Sequence, residues 1–287
     1  MLADVADLLL CPQCRAADVH GLALQGRTVR CPRGHSFDLA KQGYVNLLPG
    51  GVPRHADTAG MVAARERFLG SGAYAPIREA VRTAARQPSP DVSAGSLTML
   101  EAGAGTGYYL AGCLTDRDRG LALDISPAAA RRAARAHPRI GAVVADTWAG
   151  LPVRTGSIDV LLAVFAPRNP AEFARVLAPH GRALVVAPLP DHLAGLRSTL
   201  GLLDIEEDKE AHLLARMSGH LVAADSTDIR FTLRLTPAAV ADLVGMGPNA
   251  FHRRSEQRAG AAEGPDPAAG APSEVEVAVR LWEFTRA

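Results

Sequence analysis

The sequence predicts an α/β fold in which a mostly parallel sheet follows a small metal-held module. Three observations carry this. Short apolar runs alternate with helical patterns from Leu97 to Ala187, the rhythm of strand–helix–strand units. Within the strand expected at Ile158–Phe165, Val160–Phe165 is a continuous apolar run after Asp159, as expected of a strand buried on both faces. Cys11, Cys14, Cys31 and His35 open the chain as C-x2-C-x16-C-x3-H.

That last spacing is the pattern of a structural zinc site. A C-x2-C turn puts two thiolates on one side of a metal, and Cys31 with His35 returns after a hairpin-sized insert. Three sulfurs and one imidazole fill a tetrahedron and leave no open position for substrate. Pro12 and Pro32-Arg33-Gly34 provide the tight turns. Metal-spaced cysteines fit a reducing compartment. Cys113, the fourth cysteine, lies after the glycine loop described below and reads as a buried apolar residue.

The elements follow in order. Residues 1–50 form the zinc module, with strands expected at Gly26–Arg30 and Ser36–Leu39. Residues 51–96 form a helical connector and linker. Met61–Leu69 carries apolar positions at helical spacing, Gly70-Ser71-Gly72 stops it, and Pro76 suits the first turn of a helix reaching Arg86. Gln87–Ser96 reads as the linker. Residues 97–287 form the larger domain. Its strands are expected at Leu97–Ala102, Gly120–Ile125, Ala142–Ala145, Ile158–Phe165 and Ala183–Ala187, with helices at Pro127–His137 and Pro170–Leu177 between them. Residues 189–224 look mostly helical. A strand at Asp228–Leu235, a helix at Pro237–Val244 and a strand at Glu274–Phe284 complete the chain, with a loop over 255–273 that is rich in Ala, Gly, Pro and charge.

With 48% hydrophobic residues the chain of 287 can fill a core, and a net charge of +1 marks no global affinity for nucleic acid. The distribution is more telling. Residues 1–90 hold 11 Lys+Arg against 7 Asp+Glu, and the rest 20 against 23, so the basic excess sits with the zinc module. Met1–Leu10 carries Asp4 and Asp7 and lacks the basic start of a secretory signal. No apolar run reaches the roughly 18 residues of a membrane span. Both point to a cytoplasmic protein.

The candidate site follows the first strand of the larger domain. Glu101-Ala102-Gly103-Ala104-Gly105-Thr106-Gly107 lies between a strand and a helix, where glycines let backbone approach a ligand and turn tightly. G-x-G-x-G alone is shared with dinucleotide enzymes. Three acids sharpen it. Glu101 precedes the first glycine, where it can meet an ammonium or order the loop. Asp124 ends the next strand, 17 residues after Gly107, placed to accept both ribose hydroxyls. Asp146 ends the third strand and can take an adenine amino group, with Trp148 as an apolar wall. Acids at three successive strand ends suit a cationic nucleoside cofactor better than a pyrophosphate, which points to S-adenosylmethionine and a Rossmann-like class I methyltransferase domain. A plainer reading makes Asp124 and Asp146 helix caps.

Several strings resemble the 23S rRNA guanine-N1 methyltransferases of the RlmA/TlrB type. They are His35-Ser36-Phe37-Asp38-Leu39-Ala40-Lys41-Gln42-Gly43-Tyr44-Val45-Asn46-Leu47-Leu48, Met61–Leu69, Ser71-Gly72-Ala73-Tyr74-Ala75-Pro76, Phe165-Ala166-Pro167-Arg168-Asn169-Pro170, Asp191-His192-Leu193 and Met246-Gly247-Pro248. The likeness runs in order along nearly the whole chain, and the stretch from Asp38 to Leu48 is its most specific part. It implies a zinc domain that grips a hairpin of 23S rRNA, methylation of guanine N1 and a homodimer. It also adds Tyr74 and His192 to the cofactor residues. Phe165–Pro170 and Ala136-His137-Pro138 look closer to the branch associated with resistance to tylosin-like macrolides.

Guanine N1 carries a proton at neutral pH and lies on the Watson–Crick edge, so the base must be unpaired and the proton must leave. Phe165, Arg168 and Asn169 follow the fourth strand, where methyltransferases hold the target base, and are the base-pocket candidates. Asp191 and His192 are the candidate proton acceptors. Two readings compete: a small-molecule methyltransferase, which leaves the zinc module idle, and a non-catalytic zinc-dependent RNA-binding protein, against which the intact Glu101–Gly107 run argues.

Overall fold

The computed structural model describes residues 2–14, 20–51, 56–87, 95–202, 208–247 and 273–287. Most of the expected linker Gln87–Ser96 and of the loop 255–273 lies outside the described residues, as does Pro248.

A small antiparallel sheet holds β1 (Ala23–Gln25), β2 (Thr28–Arg30) and β3 (Ser36–Asp38) in that order. The large sheet contains β4 (Tyr44–Asn46), β5 (Thr98–Ala102), β6 (Arg119–Asp124), β7 (Ile140–Val144), β8 (Ile158–Val164), β9 (Leu177–Pro188), β10 (Leu221–Arg234) and β11 (Glu274–Arg286). Its order is β10-β11-β9-β8-β5-β6-β7-β4. The strands from β4 to β9 pair in parallel, and β11 inserts antiparallel between β9 and β10. The chain moves outward from β5 in one direction through β6 and β7, then in the other through β8 and β9. The crevice at the carboxyl ends of β5 and β8 is therefore a topological switch point, where open α/β sheets bind ligands.

The helices are α1 (Ala59–Gly70), α2 (Ala75–Ala85), α3 (Tyr108–Cys113), α4 (Pro127–Ala136), α5 (Pro170–Val176), α6 (Ala194–Leu200), α7 (Lys209–Met217) and α8 (Pro237–Gly245). Thr58 caps α1 by accepting from the Met61 N–H at 3.4 Å. Ser126 caps α4 by accepting from the Ala129 N–H at 3.3 Å, so Asp124 is not the cap of that helix. None of the helices among the described residues is long and apolar enough to cross a membrane.

Alternate residues of each central strand feed two cores. On one face, Met99, Ala122, Val144, Leu162 and Val186 pack with buried residues of α1, α2, α3, α4 and α8. On the other, Leu100, Leu121, Val143, Leu161 and Val185 pack with Phe173 of α5 and Met217 of α7. The same second core contains Leu2, Val5, Leu8, Leu9, Leu22, Val29, Val45 and Leu47. No helix joins β7 to β8, and the N-terminal segment covers apolar surface there. Gly141 of β7 makes room for it: a Cβ at that position would meet Val5 Cγ2 at 2.3 Å.

Two features depart from the sequence expectation. Tyr44–Asn46, counted within residues 1–50, joins the edge of the large sheet beside β7. Three residues are too few to show a period-2 pattern. The mostly helical reading of 189–224 holds for α6 and α7 but overruns into β10, which starts at Leu221 in register with Arg286. From Val222 to Asp228 that edge strand is exposed, so burial leaves no alternation to read there.

Candidate active site and metal centre

A cavity of about 670 Å³ opens at the switch point. Its floor is the glycine loop between β5 and α3. Gly103, Gly105 and Gly107 have φ of +70°, +54° and +76°, where other residues are strained. A Cβ on Gly103 would stand 2.7 Å from Ala166 Cβ, and one on Gly107 3.1 Å from Ala133 Cα in α4. The loop is thus wedged between the turn after β8 and α4, with its backbone bared to the cavity.

Glu101, Asp124 and Asp146 all line this space. Asp124 Oδ2 accepts from the Gly105 N–H at 2.7 Å and Oδ1 from the Ser126 N–H at 2.8 Å. The carboxylate thereby ties the glycine loop to the end of β6. Burial raises its pKa against those two donors. Asp146 Oδ1 accepts from the Trp148 N–H at 2.9 Å, a local turn bond rather than a helix cap. Glu101 is 1% exposed and accepts from the Leu110 N–H at 3.1 Å. Burial pushes its carboxyl up to about 8, opposed by that N–H and helped by the Asp124 charge.

The opposite wall is aromatic. Phe165 sits 6.0 Å from Tyr74 and 6.0 Å from His192, ring centre to ring centre. Tyr74 also packs edge-on against Phe68 at 5.0 Å. His192 Nδ1 accepts from the Ala278 N–H at 3.3 Å. Phe165 (φ +52°) and Leu193 (φ +54°) are the non-glycine residues with positive φ among the described residues, and both line the cavity. Strain of this kind collects where a site needs a fixed shape.

Of the three base-pocket candidates, Phe165 lines the cavity and the other two do not. Asn169 caps α5, accepting from the Glu172 N–H at 3.4 Å, and its amide donates to Thr147 O at 3.0 Å. Arg168 lines a smaller neighbouring cavity of about 50 Å³. Asp191 is not among the cavity's lining residues and pairs with Arg230. Cys113 is buried.

Arg65, Asp57 and Tyr109 were missed by sequence reasoning and line the cavity. Arg65 pairs with Asp57 and donates to Met246 O at 2.7 Å. It occupies one helical position among many in α1, and only tertiary packing turns it inward. The Tyr109 hydroxyl is buried without a hydrogen-bond partner, an uncommon state for a phenol. Bared loop backbone, a buried acid that a cation would draw into its charged form and an orphaned hydroxyl fit a polar, cationic ligand such as S-adenosylmethionine.

At the metal centre, the ligand atoms of Cys11, Cys14, Cys31 and His35 lie within 4.8 Å of one another. His35 Nδ1 stands 3.4, 3.5 and 3.3 Å from the sulfurs of Cys11, Cys14 and Cys31, and the Cys14 and Cys31 sulfurs are 3.9 Å apart. Zinc bonds of about 2.3 Å to sulfur and about 2.0 Å to nitrogen at tetrahedral angles need edges of roughly 3.5–3.8 Å, so the donors fit. Backbone N–H groups of Gln13 and Cys14 face the Cys11 sulfur, and those of Arg33 and His35 face Cys31. Burial raises both thiols and leaves Cys11 above its ordinary value, while these donors act in the opposite direction, toward the thiolate form that zinc requires.

Two family models match the chain. RlmA, N-terminal, a zinc ribbon, covers residues 9–52, and Methyltransferase domain covers residues 100–185. A Streptomyces fradiae protein named 23S rRNA (guanine(748)-N(1))-methyltransferase is 44% identical over 265 residues, 90% of this chain and 91% of that protein. The chain belongs to the 23S rRNA (guanine-N1)-methyltransferases. A Micromonospora griseorubida protein of the same class name is 46% identical over 264 residues, 88% of this chain and 90% of that one. A Bacillus subtilis relative, YxjB, is 34% identical over 197 residues, 66% of this chain and 67% of its own. Members of this family use S-adenosylmethionine, and the zinc ribbon with its four-donor cluster holds one structural zinc ion.

The raised Glu101 carboxyl gives this methyltransferase a pH signature. Its folded value of about 8 lies above the ordinary glutamate value of 4.5, so the ligand-free folded state binds the extra proton. The resulting stabilisation is complete below the unfolded value and is lost as pH rises through about 8. Urea unfolding across that window is expected to show wild-type stability falling with pH and a flatter profile for Glu101→Gln. Equal slopes would remove Glu101 as the source.

Proposed function

We propose that this chain methylates N1 of a guanine in a hairpin loop of 23S rRNA, acting as a homodimer and conferring resistance to tylosin-like macrolides. The observation that carries the reading is the likeness, over about nine-tenths of the chain, to relatives named for that reaction, together with a cavity lined by Glu101, Asp124, Asp146, Gly103 and Gly105 but not Gly107. Residues 1–50 serve RNA recognition, and 97–287 carry the methyl transfer, with Asp57, Arg65 and Tyr74 of the connecting 51–96 completing the cavity.

S-adenosylmethionine supplies a methyl group already activated on a sulfonium. The backbone of Gly103, Ala104, Gly105, Thr106 and Gly107 would approach its methionine part, with Glu101 meeting the ammonium. Asp124 would accept from the ribose hydroxyls and Asp146 from the adenine amino group. Tyr74 and His192 close the far wall. Phe165, held in a strained backbone at the end of β8, stacks on the target guanine and orients N1 toward the methyl. Alignment of this kind supplies much of the rate, and the splayed base explains why a loop rather than a duplex is the substrate.

Incubation of unmodified 23S rRNA transcript with the protein and S-adenosylmethionine, followed by nuclease mapping by mass, is expected to show one guanine heavier by one methyl group and blocked on its pairing edge. Methylation elsewhere than guanine N1, or none in RNA that the protein binds, would overturn the reading. Strains with and without the gene compared for growth on tylosin test the resistance.

A further inference from the structure

The rim of the cavity carries a second feature around Trp148, the residue the sequence offers as a wall for the adenine. Trp148 and Phe165, both lining the cavity, are 51% and 40% exposed, the most exposed aromatic residues described. Over the Trp148 ring lies the Arg216 guanidinium, 5.1 Å from the ring centre, at the last turn of α7. Arg168 follows Pro167 in the turn after β8; burial lowers its pKa, and the charge of Arg216 lowers it further. Arg168 Nε is buried and has no hydrogen-bond partner. Glu210, the carboxylate that lines the same small cavity, is taken by Arg280 Nη1 at 2.7 Å to each oxygen. Among the described residues neither Arg168 nor Arg216 pairs with an acid.

Two guanidinium groups without an acidic partner, one of them with a buried and unpartnered Nε, are unfavourable in isolation. An arriving anion removes both penalties, and a phosphate accepts from two arginines at once. The flanking surface says which kind of phosphate. Exposed aromatics and a planar guanidinium stack nucleobases without regard to sequence, and a cationic groove between them tracks a single-stranded backbone. Pro188 lines both the cofactor cavity and the small cavity behind Arg168, so the arginine pair adjoins the reaction centre.

We propose that Trp148, Arg168 and Arg216 form a second nucleotide subsite. Arg168 and Arg216 grip the phosphate beside the target guanine, and the Trp148–Arg216 stack carries the neighbouring base. The three residues are positioning residues: they hold the strand so that the target base stays on Phe165. This inference rests on the RNA-methylating reading above.

The test uses the full chain, S-adenosylmethionine and unmodified 23S rRNA transcript. Arg216 is exposed at a helix end, so Arg216→Glu is expected to fold and to bind S-adenosylmethionine within about twofold of wild type by calorimetry. Its KM for RNA is expected to rise about tenfold or more, with kcat changed far less. The slope of log KM against log salt is expected to flatten by about 0.7, the loss of one single-strand phosphate contact. Arg168→Gln is expected to act in the same direction, and Trp148→Phe to retain more activity than Trp148→Ala. An unchanged RNA KM and salt slope in Arg216→Glu would overturn the subsite while leaving the reaction intact. A loss of S-adenosylmethionine affinity with RNA binding preserved would overturn it in favour of a cover over the cofactor. Wild-type protein that binds the cofactor but methylates no RNA would overturn the functional reading, and the subsite with it.

Discussion

Replacing Asp124 by alanine lowers the affinity for S-adenosylmethionine by about tenfold or more in calorimetric titration, ~1.4 kcal/mol at the least. The structure gives two reasons for a large effect. Asp124 is the buried carboxylate at the end of β6, facing the cavity where ribose hydroxyls are expected. Charge-assisted hydrogen bonds of that kind contribute about 1.5–3 kcal/mol. Asp124 also accepts from Gly105 N and Ser126 N, so it holds the glycine loop against the neighbouring strand. Alanine removes ligand contact and loop anchor together. Asparagine keeps one acceptor and the shape, and Asp124→Asn is therefore expected to fall between alanine and wild type. Affinity unchanged in Asp124→Ala would remove this residue from the cofactor site.

Removing zinc, by chelation or by Cys11→Ser, is expected to abolish methylation of 23S rRNA while leaving S-adenosylmethionine affinity largely in place. The small sheet consists of three strands of three residues each, far too little to fold unaided. A structural zinc contributes on the order of 10 kcal/mol to such modules, so its loss unfolds them. The module lends no residue to the cofactor cavity: the first lining residue among those described is Asp57. A consequence beyond the RNA is expected too. Leu9, Val29, Val45 and Leu47 belong to the same core as Leu121 and Val143 of the large sheet. Losing the module bares that face, and thermal unfolding should begin at a lower temperature. Full RNA methylation by zinc-free protein would refute the recognition role.

Much of this molecule is legible in its sequence because the signals are local. The metal site is a spacing: C-x2-C and C-x3-H must form tight turns whatever surrounds them, and the four donors meet as that spacing implies. The parallel strands are continuous apolar runs because helices and the N-terminal module bury them from both sides. The glycine loop and the acids at strand ends follow from the same strand–loop–helix grammar, and the structure brings Glu101, Asp124 and Asp146 around one cavity. Ser126 rather than Asp124 caps α4, which removes the main structural alternative for that acid.

The tertiary structure decided what depends on partners far apart in the chain. Tyr44–Asn46 is a strand only because the edge of β7 accepts it, and Leu221–Asp228 only because β11 pairs with it. Arg65 enters the site through the packing of α1, and Asn169 leaves the expected base pocket because its side chain is occupied with capping. Trp148 and Arg216 are 68 residues apart in sequence, and nothing in either neighbourhood foretells that they stack. Sequence alone therefore determined the chemistry on offer: a zinc, a cationic nucleoside cofactor and the acids to hold it. Which side chains share a cavity, and which are spent on holding the fold, was decided by long-range packing, because local rules set the turn or strand a residue sits in but not the surface it meets.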